Sequence, residues 1–286
     1  MKKRISNIIL ITVFVIGVSL LLYPSVANWW NTKIFNEEIA YYTSVVSSVD
    51  NSELDELIDS ARLYNEERAK RGNSFSPLKG EELDEYNAQL SVDGNSMMGY
   101  LHIQKINAYL PIYHTTDESV LVAGIGHIEG TSLPVGGESS HCVLSGHRGL
   151  PSARLLTDLD QLIVGDTFVM EIFGLTLTYE VDQILIVLPE ELSALKIEEG
   201  QDYCTLVTCT PYGVNSHRML VRGHRISNAS GELRVPADAL QVRPVVVAPF
   251  VGVPILLILL VMVLVDTGRK KRNSYPKKGD NIDETK

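Results

Sequence analysis

The stretch TLVTCTPYGVNSHRMLVRGHR, residues 205–225, joins two apolar runs through a turn-rich segment. The first run, YCTLVTC, ends at Cys209, and the second begins at Arg218. Strand ends and loops are where catalytic groups are usually displayed. Side chains alternate between the faces of a strand, so Cys204 and Cys209, five residues apart, point opposite ways. We therefore expect Cys209 to face a cleft and Cys204 to lie in the core.

Similar β-rich runs recur from Gly99 onward, separated by Gly, Pro and Asn. Helical insertions between them are short, and no sequence repeat stands out. This pattern is typical of an antiparallel barrel or sandwich, so the fold class is mainly β. The predicted strands are GYLHI, AYLPIYH, HCVLSGH, TFVMEIF, LTLTYEVDQILIVL, YCTLVTC and RMLVRGHRI.

Residues 31–72 precede these runs and carry apolar residues at helical spacing, which predicts a pair of juxtamembrane helices. Asn51 or Ser52 is expected to be the N-cap of the second helix, and Gly72 is expected to end it. The next segment, residues 73–98, is polar and rich in turn residues. We interpret it as a linker or surface segment.

Two uncharged apolar blocks, Ile5–Tyr23 and Pro244–Val265, lie near the ends of the chain. A helix over either block spans roughly the 30 Å of bilayer hydrocarbon. Basic clusters flank both blocks on their outer sides, which predicts that both chain ends are cytoplasmic and the middle is exported. The first block is an uncleaved anchor or, given SVA at Ser25–Ala27, a signal peptide. The predicted organisation is an anchor or signal at 1–30, a helical region at 31–72, a linker or possible lid region at 73–98, a catalytic barrel at 99–230, a linker at 231–243, a transmembrane helix at 244–265 and a basic cytoplasmic tail at 266–286.

The charge of the chain excludes one class of partner. The net charge is −10, and the basic residues are concentrated at the two ends, so the exported part is strongly acidic. Nucleic-acid binding needs a basic face, and we expect no such partner. The sequence carries no zinc or EF-hand spacing, P-loop or dinucleotide fingerprint, so we expect neither a metal nor a cofactor.

Cysteine is rare, with three residues at Cys142, Cys204 and Cys209, and an odd number leaves at least one thiol unpaired. A free thiol has a pKa of about 8.5 and needs a nearby cation or imidazole to act as a nucleophile. Among seven histidines, His147 in SGHRGL is the first candidate, and His217 beside Arg218 is the second. The residues themselves leave this choice open.

Arg218 cannot be a base because its guanidinium stays protonated, but it can donate hydrogen bonds to a carbonyl or a developing oxyanion. It would also favour a nearby thiolate. We expect the neighbouring arginines to form ion pairs with surface carboxylates instead; they are Arg148, Arg222 and Arg225.

Two motifs resemble one enzyme family. TLVTCTPYGVNSHRMLVRG resembles the cysteine motif of sortases, with an arginine nine residues after the cysteine. HIEGTSLPVGGESSHCVLSGHRGLPSARLLTDLD resembles the histidine region of class C sortases, which assemble pilins in Gram-positive bacteria. The resemblance covers about residues 34–226, and two anchors fit that class. It implies an eight-stranded β-barrel with Cys209 as nucleophile, His147 as general acid and base, and Arg218 as the oxyanion or substrate stabiliser.

The reaction implied by the resemblance is transpeptidation at the cell membrane by an extracellular domain. Cys209 would cleave an LPxTG-like sorting signal between Thr and Gly, and a pilin lysine would resolve the thioester to an isopeptide bond. The alternatives are attachment of surface proteins to peptidoglycan, hydrolysis by water, and a non-catalytic surface scaffold. Many class C sortases also carry an Asp-Pro-aromatic lid motif, which residues 73–98 lack. We therefore expect an open site or a plug of different sequence.

Overall fold

A computed structural model describes residues 2–92, 96–228, 252–258 and 260–262. The chain divides into two compact units. One comprises Met1–Val26 with Asp238–Lys286, and the other is Ala27–Ala237. The second unit contains the β-rich segment and all the candidate catalytic residues.

Eight strands close into a barrel in the order β1-β2-β3-β4-β7-β8-β6-β5. Closure leaves no unpaired sheet edge. The strands are β1 Met97–Ile103, β2 Ala108–His114, β3 Ile125–His127, β4 Ser140–Ser145, β5 Thr167–Ile172, β6 Leu175–Val187, β7 Asp202–Thr210 and β8 His217–Ile226.

The seven predicted runs correspond to seven of these strands, and the mainly β, eight-stranded fold is confirmed. β3 is a further strand of three residues, too short to show an alternating pattern. One expectation was wrong. The barrel is not wholly antiparallel, because β2 pairs with β3 and β4 pairs with β7 in parallel. Parallel neighbours need long crossover connections, and these are the segments 115–124 and 146–201.

Apolar side chains that alternate along the strands fill the barrel interior. Phe168 of β5 and Tyr179 of β6 stack there with ring centroids 5.5 Å apart. A separate cluster lies outside the main core and joins β4, β7 and β8; its members are Val143, Leu195, Val207 and Leu220. The strands that carry the candidate catalytic residues are therefore packed on both faces.

Within residues 2–92 and 96–228, four α-helices accompany the barrel: α1 Lys2–Ser48, α2 Asn51–Arg71, α3 Glu81–Ala88 and α4 Glu118–Ala123. The predicted helical pair is present, but α1 continues without a break from the apolar block into residues 31–48. Asp50, rather than Asn51 or Ser52, is the N-cap of α2, since its carboxylate accepts from the Ser52 amide. Gly72 ends α2 with φ +78°, as expected.

Buried polar side chains join these helices to the barrel. The Tyr42 hydroxyl of α1 donates to the Met98 carbonyl and accepts from the Phe173 amide, both at 2.8 Å. Asn65 of α2 donates to the Leu133 carbonyl at 3.0 Å and accepts from the Leu133 amide at 2.7 Å. The helical pair is thus packed against the barrel as part of the same compact unit.

The expectation of a linker at residues 73–98 was wrong in part. The segment contains α3, whose Tyr86 is fully buried, and β1 begins at Met97. The Tyr86 hydroxyl bonds to the His127 Nδ1 at 2.9 Å and accepts from the Thr115 amide at 3.1 Å. One buried tyrosine in a polar helix is too weak a periodic signal to predict such docking.

The N-terminal part of α1 is long and apolar enough to cross a membrane, and its apolar window is wholly exposed. The predicted second span at 244–265 is described only at residues 252–258 and 260–262, which are helical. The rest of that span, the 231–243 linker and the 266–286 tail lie outside the described residues.

Candidate active site

Cys209 and Arg218 are brought together by the pairing of β7 with β8. The register places Cys209 directly opposite Arg218. Directly opposed residues share a face, with Cβ atoms about 5 Å apart. Cys209 is partly exposed, whereas Thr208 and Thr210 on the other face are buried, at 1% and 7%. As expected from the spacing, Cys204 faces the other way and is fully buried.

His147 follows β4, which lies beside β7. The Gly146 amide donates to the Val207 carbonyl at 3.0 Å, and the Thr208 hydroxyl donates to the Gly146 carbonyl at 2.8 Å. These two bonds extend the β4–β7 pairing past its last strand residue and hold His147 beside the end of β7. His147, Cys209 and Arg218 therefore lie at one end of the barrel, on β4, β7 and β8, which are neighbours in the sheet.

The His147 imidazole is partly exposed, and its Nε2 lies 3.5 Å from a carboxylate oxygen of Glu118 on α4. That contact is an ion-pair distance without hydrogen-bond geometry, and Nε2 is a buried atom without a hydrogen-bond partner among the described residues. A buried polar atom of this kind is expected to find its partner in a ligand or a reacting group.

The loop after His147 lies close to the loop after Cys209. Gly149 has φ +83°, and a Cβ atom at this position would lie 2.8 Å from the Tyr212 ring. Leu156 donates back to the His147 carbonyl at 3.2 Å. Glycine is required here both by the left-handed backbone and by the approach of Tyr212.

The Arg218 guanidinium donates to the Asn215 and His217 carbonyls, each at 3.2 Å. The acceptors are backbone carbonyls of the β7–β8 loop and of the first residue of β8, so the side chain is oriented without being neutralised by an ion pair there. An arginine that keeps its charge beside a thiol can favour the thiolate and can donate to an oxyanion.

Two of the other arginines form ion pairs, as expected. Arg148 contacts the Asp160 carboxylate at 2.5 Å, and Arg222 contacts Asp182 at 2.9 Å while lying 4.1 Å from the Tyr203 ring centroid. The expectation for Arg225 was wrong, because it donates to backbone carbonyls and to the Asn228 side chain. Two of these carbonyls belong to Thr176 and Thr178 of the neighbouring strand β6.

His217 occupies a different position from His147. It pairs with Thr210, one position along from the Cys209–Arg218 pair, so its side chain lies on the opposite face from Cys209. Its Nδ1 bonds to the neighbouring Ser216 hydroxyl at 2.9 Å. The register therefore favours His147 over His217 as the partner of Cys209.

Exposed apolar side chains flank the site, a feature that the sequence reasoning missed. They extend from the end of β6 into the following loop and from the β7–β8 loop, and Val187 of β6 pairs with Arg218. Apolar surface of this kind commonly marks a binding site. The residues are Ile186, Leu188, Leu192, Tyr212 and Val214.

Comparison with known proteins gives a consistent answer. The Sortase domain family matches residues 101–226. Sortase C1 from Streptococcus agalactiae is 50% identical, covering 68% of this chain and 100% of its own, with a TM-score of 0.66. The chain belongs to the sortase family. As a member of this family, it is a cysteine transpeptidase.

Three further relatives of this sortase are named sortase C, sortase A and sortase D. Sortase C from Streptococcus pneumoniae is 40% identical, covering 67% of this chain and 97% of its own, with a TM-score of 0.59. A lid mutant of sortase A from Corynebacterium diphtheriae is 37% identical, covering 65% and 100%, with a TM-score of 0.62. Sortase D from Bacillus subtilis is 29% identical over 164 residues, or 56% of this chain and 72% of the relative.

The segment that precedes the barrel of this sortase is held along β2, β3 and the loop after β3. The Ser74 amide donates to the Gly130 carbonyl at 2.8 Å, and the Leu78 amide donates to the Glu129 carboxylate at 3.2 Å. With the Tyr86 contacts to β3, these bonds fix residues 73–92. Residues 93–95 lie outside the described part, so the open site stays a prediction.

The remaining cysteines and histidines of the sortase include several structural residues. Cys142 and Cys204 are buried free thiols, as predicted for core residues. Three buried histidines bond to backbone carbonyls or hydroxyls; they are His114, His127 and His141. Within the described ranges, no group of three His, Cys, Asp or Glu residues could hold a metal ion.

Proposed function

We propose that this sortase is of class C and joins pilin subunits through isopeptide bonds. The observation that carries the proposal is the pairing of Cys209 with Arg218 on one face of the barrel, with His147 on the adjoining strand. The identity to sortase C1 and the two apolar blocks at the chain ends support the class.

Acylation is the first half of the proposed reaction. The Cys209 thiolate attacks the Thr carbonyl of an LPxTG-like sorting signal, and the Thr–Gly bond breaks. His147 donates a proton to the leaving amine, and Arg218 donates hydrogen bonds to the tetrahedral oxygen. The peptide-bond energy is retained in the thioester, so the reaction needs no cofactor.

The second half transfers the acyl group to an amine. A lysine amine of the next pilin, deprotonated with help from His147, attacks the thioester carbonyl and releases Cys209. The buried Nε2 of His147, which lacks a hydrogen-bond partner among the described residues, suits a group that gives and takes this proton.

The apolar surface beside the site suits the sorting signal. Leu188 directly follows β6, and Tyr212 and Val214 extend from the β7–β8 loop, so they border the strand ends that carry Cys209 and Arg218. In the proposal, the leucine and proline of the signal pack on this surface and the scissile carbonyl lies between Cys209 and Arg218.

The proposed location is the cell membrane. The apolar part of α1 and the block at 244–265 both span the bilayer, so both ends are cytoplasmic and the barrel at 99–230 is extracellular. Pilin precursors that are themselves membrane-tethered would then meet the site close to the bilayer. In the proposal the first apolar block is not cleaved, so the mature protein keeps both membrane spans.

The test is an intact-mass experiment on the full-length chain in detergent, with an LPxTG-type peptide and a lysine-bearing pilin. We expect an acyl-enzyme at Cys209, followed by a peptide–pilin conjugate. Cys209→Ala should form neither product, and His217→Ala should form both because that side chain lies on the opposite face. An acyl-enzyme that transfers only to a peptidoglycan stem peptide or to water would contradict the pilin assignment. Absence of any adduct would contradict the role of Cys209.

A further inference from the structure

Two of the three cysteines are directly paired across the strands that carry the active site. In the parallel β4–β7 ladder, Cys142 lies opposite Cys204. Neighbouring strands lie about 4.8 Å apart, which falls within the Cα separation that a disulfide requires, roughly 4.4–6.8 Å. Both side chains are buried, at 2% and 0% exposure, and the Cys204 thiol lies 3.8 Å from the Met170 sulfur.

We infer that Cys142 and Cys204 form a disulfide that links β4 to β7 in the exported sortase. Both are free thiols in the structure, so the inferred bond is an oxidation of these two residues. Disulfides form and persist in oxidising extracellular environments. Pairing these two cysteines leaves Cys209 as the single free thiol, which is the residue that the proposed reaction needs.

The pair is placed symmetrically with respect to the site. His147 follows Cys142 by five residues, and Cys209 follows Cys204 by five residues, along two parallel strands in register. The ladder continues through Ser145 opposite Val207. A covalent link at this position therefore fixes the alignment of the strand that carries the imidazole with the strand that carries the thiol.

The surroundings provide a reason for one thiol to react first. Burial raises the pKa of both thiols, but hydrogen bonds with Cys204 and His127 lower the pKa of Cys142 below its usual value. The pKa of Cys204 is raised, again chiefly by burial. Cys142 is thus the thiol that ionises first, and thiolates are the attacking species in exchange.

The reaction is a two-step thiol–disulfide exchange with an acceptor disulfide, such as that of a cell-surface thiol oxidase. The Cys142 thiolate attacks one acceptor sulfur and forms a mixed disulfide, releasing one acceptor thiolate. The Cys204 thiolate then attacks the Cys142 sulfur and releases the second. Two protons leave the cysteines, and two electrons reduce the acceptor to a dithiol. Because both sulfurs are buried once the barrel closes, the exchange takes place late in folding, when β3, β4 and β7 have paired and the acceptor can still reach them.

The experiment counts thiols in the full-length chain after export by a bacterial host. The protein is unfolded in guanidinium with N-ethylmaleimide, with or without prior reduction, and weighed intact. We expect one alkyl group before reduction and three after it, and a peptide map that links Cys142 to Cys204. Three alkyl groups before reduction, or any link that includes Cys209, would overturn the inference.

A matched variant and a second readout remove dependence on one measurement. Cys142→Ser should take up two alkyl groups without reduction; uptake of none would mean that Cys204 pairs with Cys209 and would overturn the inference. Because the link closes a loop of about 60 residues, reduction should lower the unfolding midpoint of the wild type by about 10 °C. It should leave the midpoint of Cys142→Ser unchanged, and equal midpoints of wild type with and without reductant would refute a structural bond. None of these readouts depends on the proposed transpeptidation.

Discussion

Replacing Tyr42 with Phe tests how α1 is fastened to the barrel. The ring packs edge-on against Phe173, with centroids 5.5 Å apart, and the substitution removes only the hydroxyl. It leaves two buried backbone groups, the Met98 carbonyl and the Phe173 amide, without this partner. Each unsatisfied buried group costs about 1–3 kcal/mol, so we expect a loss of about 3 kcal/mol in the free energy of unfolding.

Tyr41 supplies the matched control for this prediction. It is the adjacent residue of the same helix and is 62% exposed, whereas Tyr42 is 6% exposed. Urea unfolding of both Phe variants, followed by near-ultraviolet circular dichroism, would measure the difference. A loss of about 3 kcal/mol corresponds to roughly 10 °C in the unfolding midpoint of a domain of this size. A Tyr42→Phe variant as stable as Tyr41→Phe would refute the idea that this hydroxyl secures α1.

Three further predictions concern the site and the core. Arg218→Ala should lower the rate of acylation by about 10²–10³-fold through loss of an oxyanion donor, as measured by single-turnover mass analysis. Arg222→Ala, four residues along β8, is the control and should acylate at the wild-type rate. Equal losses in the two variants would exclude a specific role of Arg218. Gly149→Ala should slow acylation because its Cβ would meet a ring of the Cys209 loop at 2.8 Å, whereas Gly165→Ala, with φ +93° and open space, should only lose stability. Burial raises the pKa of Tyr179 well above 10.0. The folded state then keeps a proton that the unfolded chain loses, so the contribution of Tyr179 to stability should be constant below about pH 10 and fall above it. Denaturation across that range should show this slope in the wild type and a smaller slope in Tyr179→Phe.

Local sequence predicted most of the strands because alternation along a half-buried strand is a local property. Seven apolar runs gave seven strands, and the parity of the YCTLVTC run placed Cys204 inside and Cys209 outside. β3 was not predicted because three residues are too few to show a periodic pattern. α3 escaped because Tyr86 alone anchors a polar helix, through a bond to His127 that lies 41 residues away in the chain.

Strand direction was also beyond the local pattern. The apolar runs do not distinguish a parallel from an antiparallel neighbour, and the parallel pairing of β4 with β7 depends on the long segment between them. The same pairing brings Cys142 opposite Cys204, although 62 positions separate them. Three widely spaced cysteines in a sequence give no indication of which two are neighbours.

The sequence by itself determined the chemistry that the sortase has available. It placed a thiol at the end of one strand, an arginine at the start of the next and an imidazole after a third, and it provided an apolar block for the membrane. Only the tertiary structure decided how these groups are oriented. His217 is nearer to Cys209 in sequence than His147, but the β7–β8 register turns it to the other face, whereas β4 brings His147 alongside. Strand pairing joins distant segments, so register across the barrel, rather than spacing along the chain, selects the partners of Cys209.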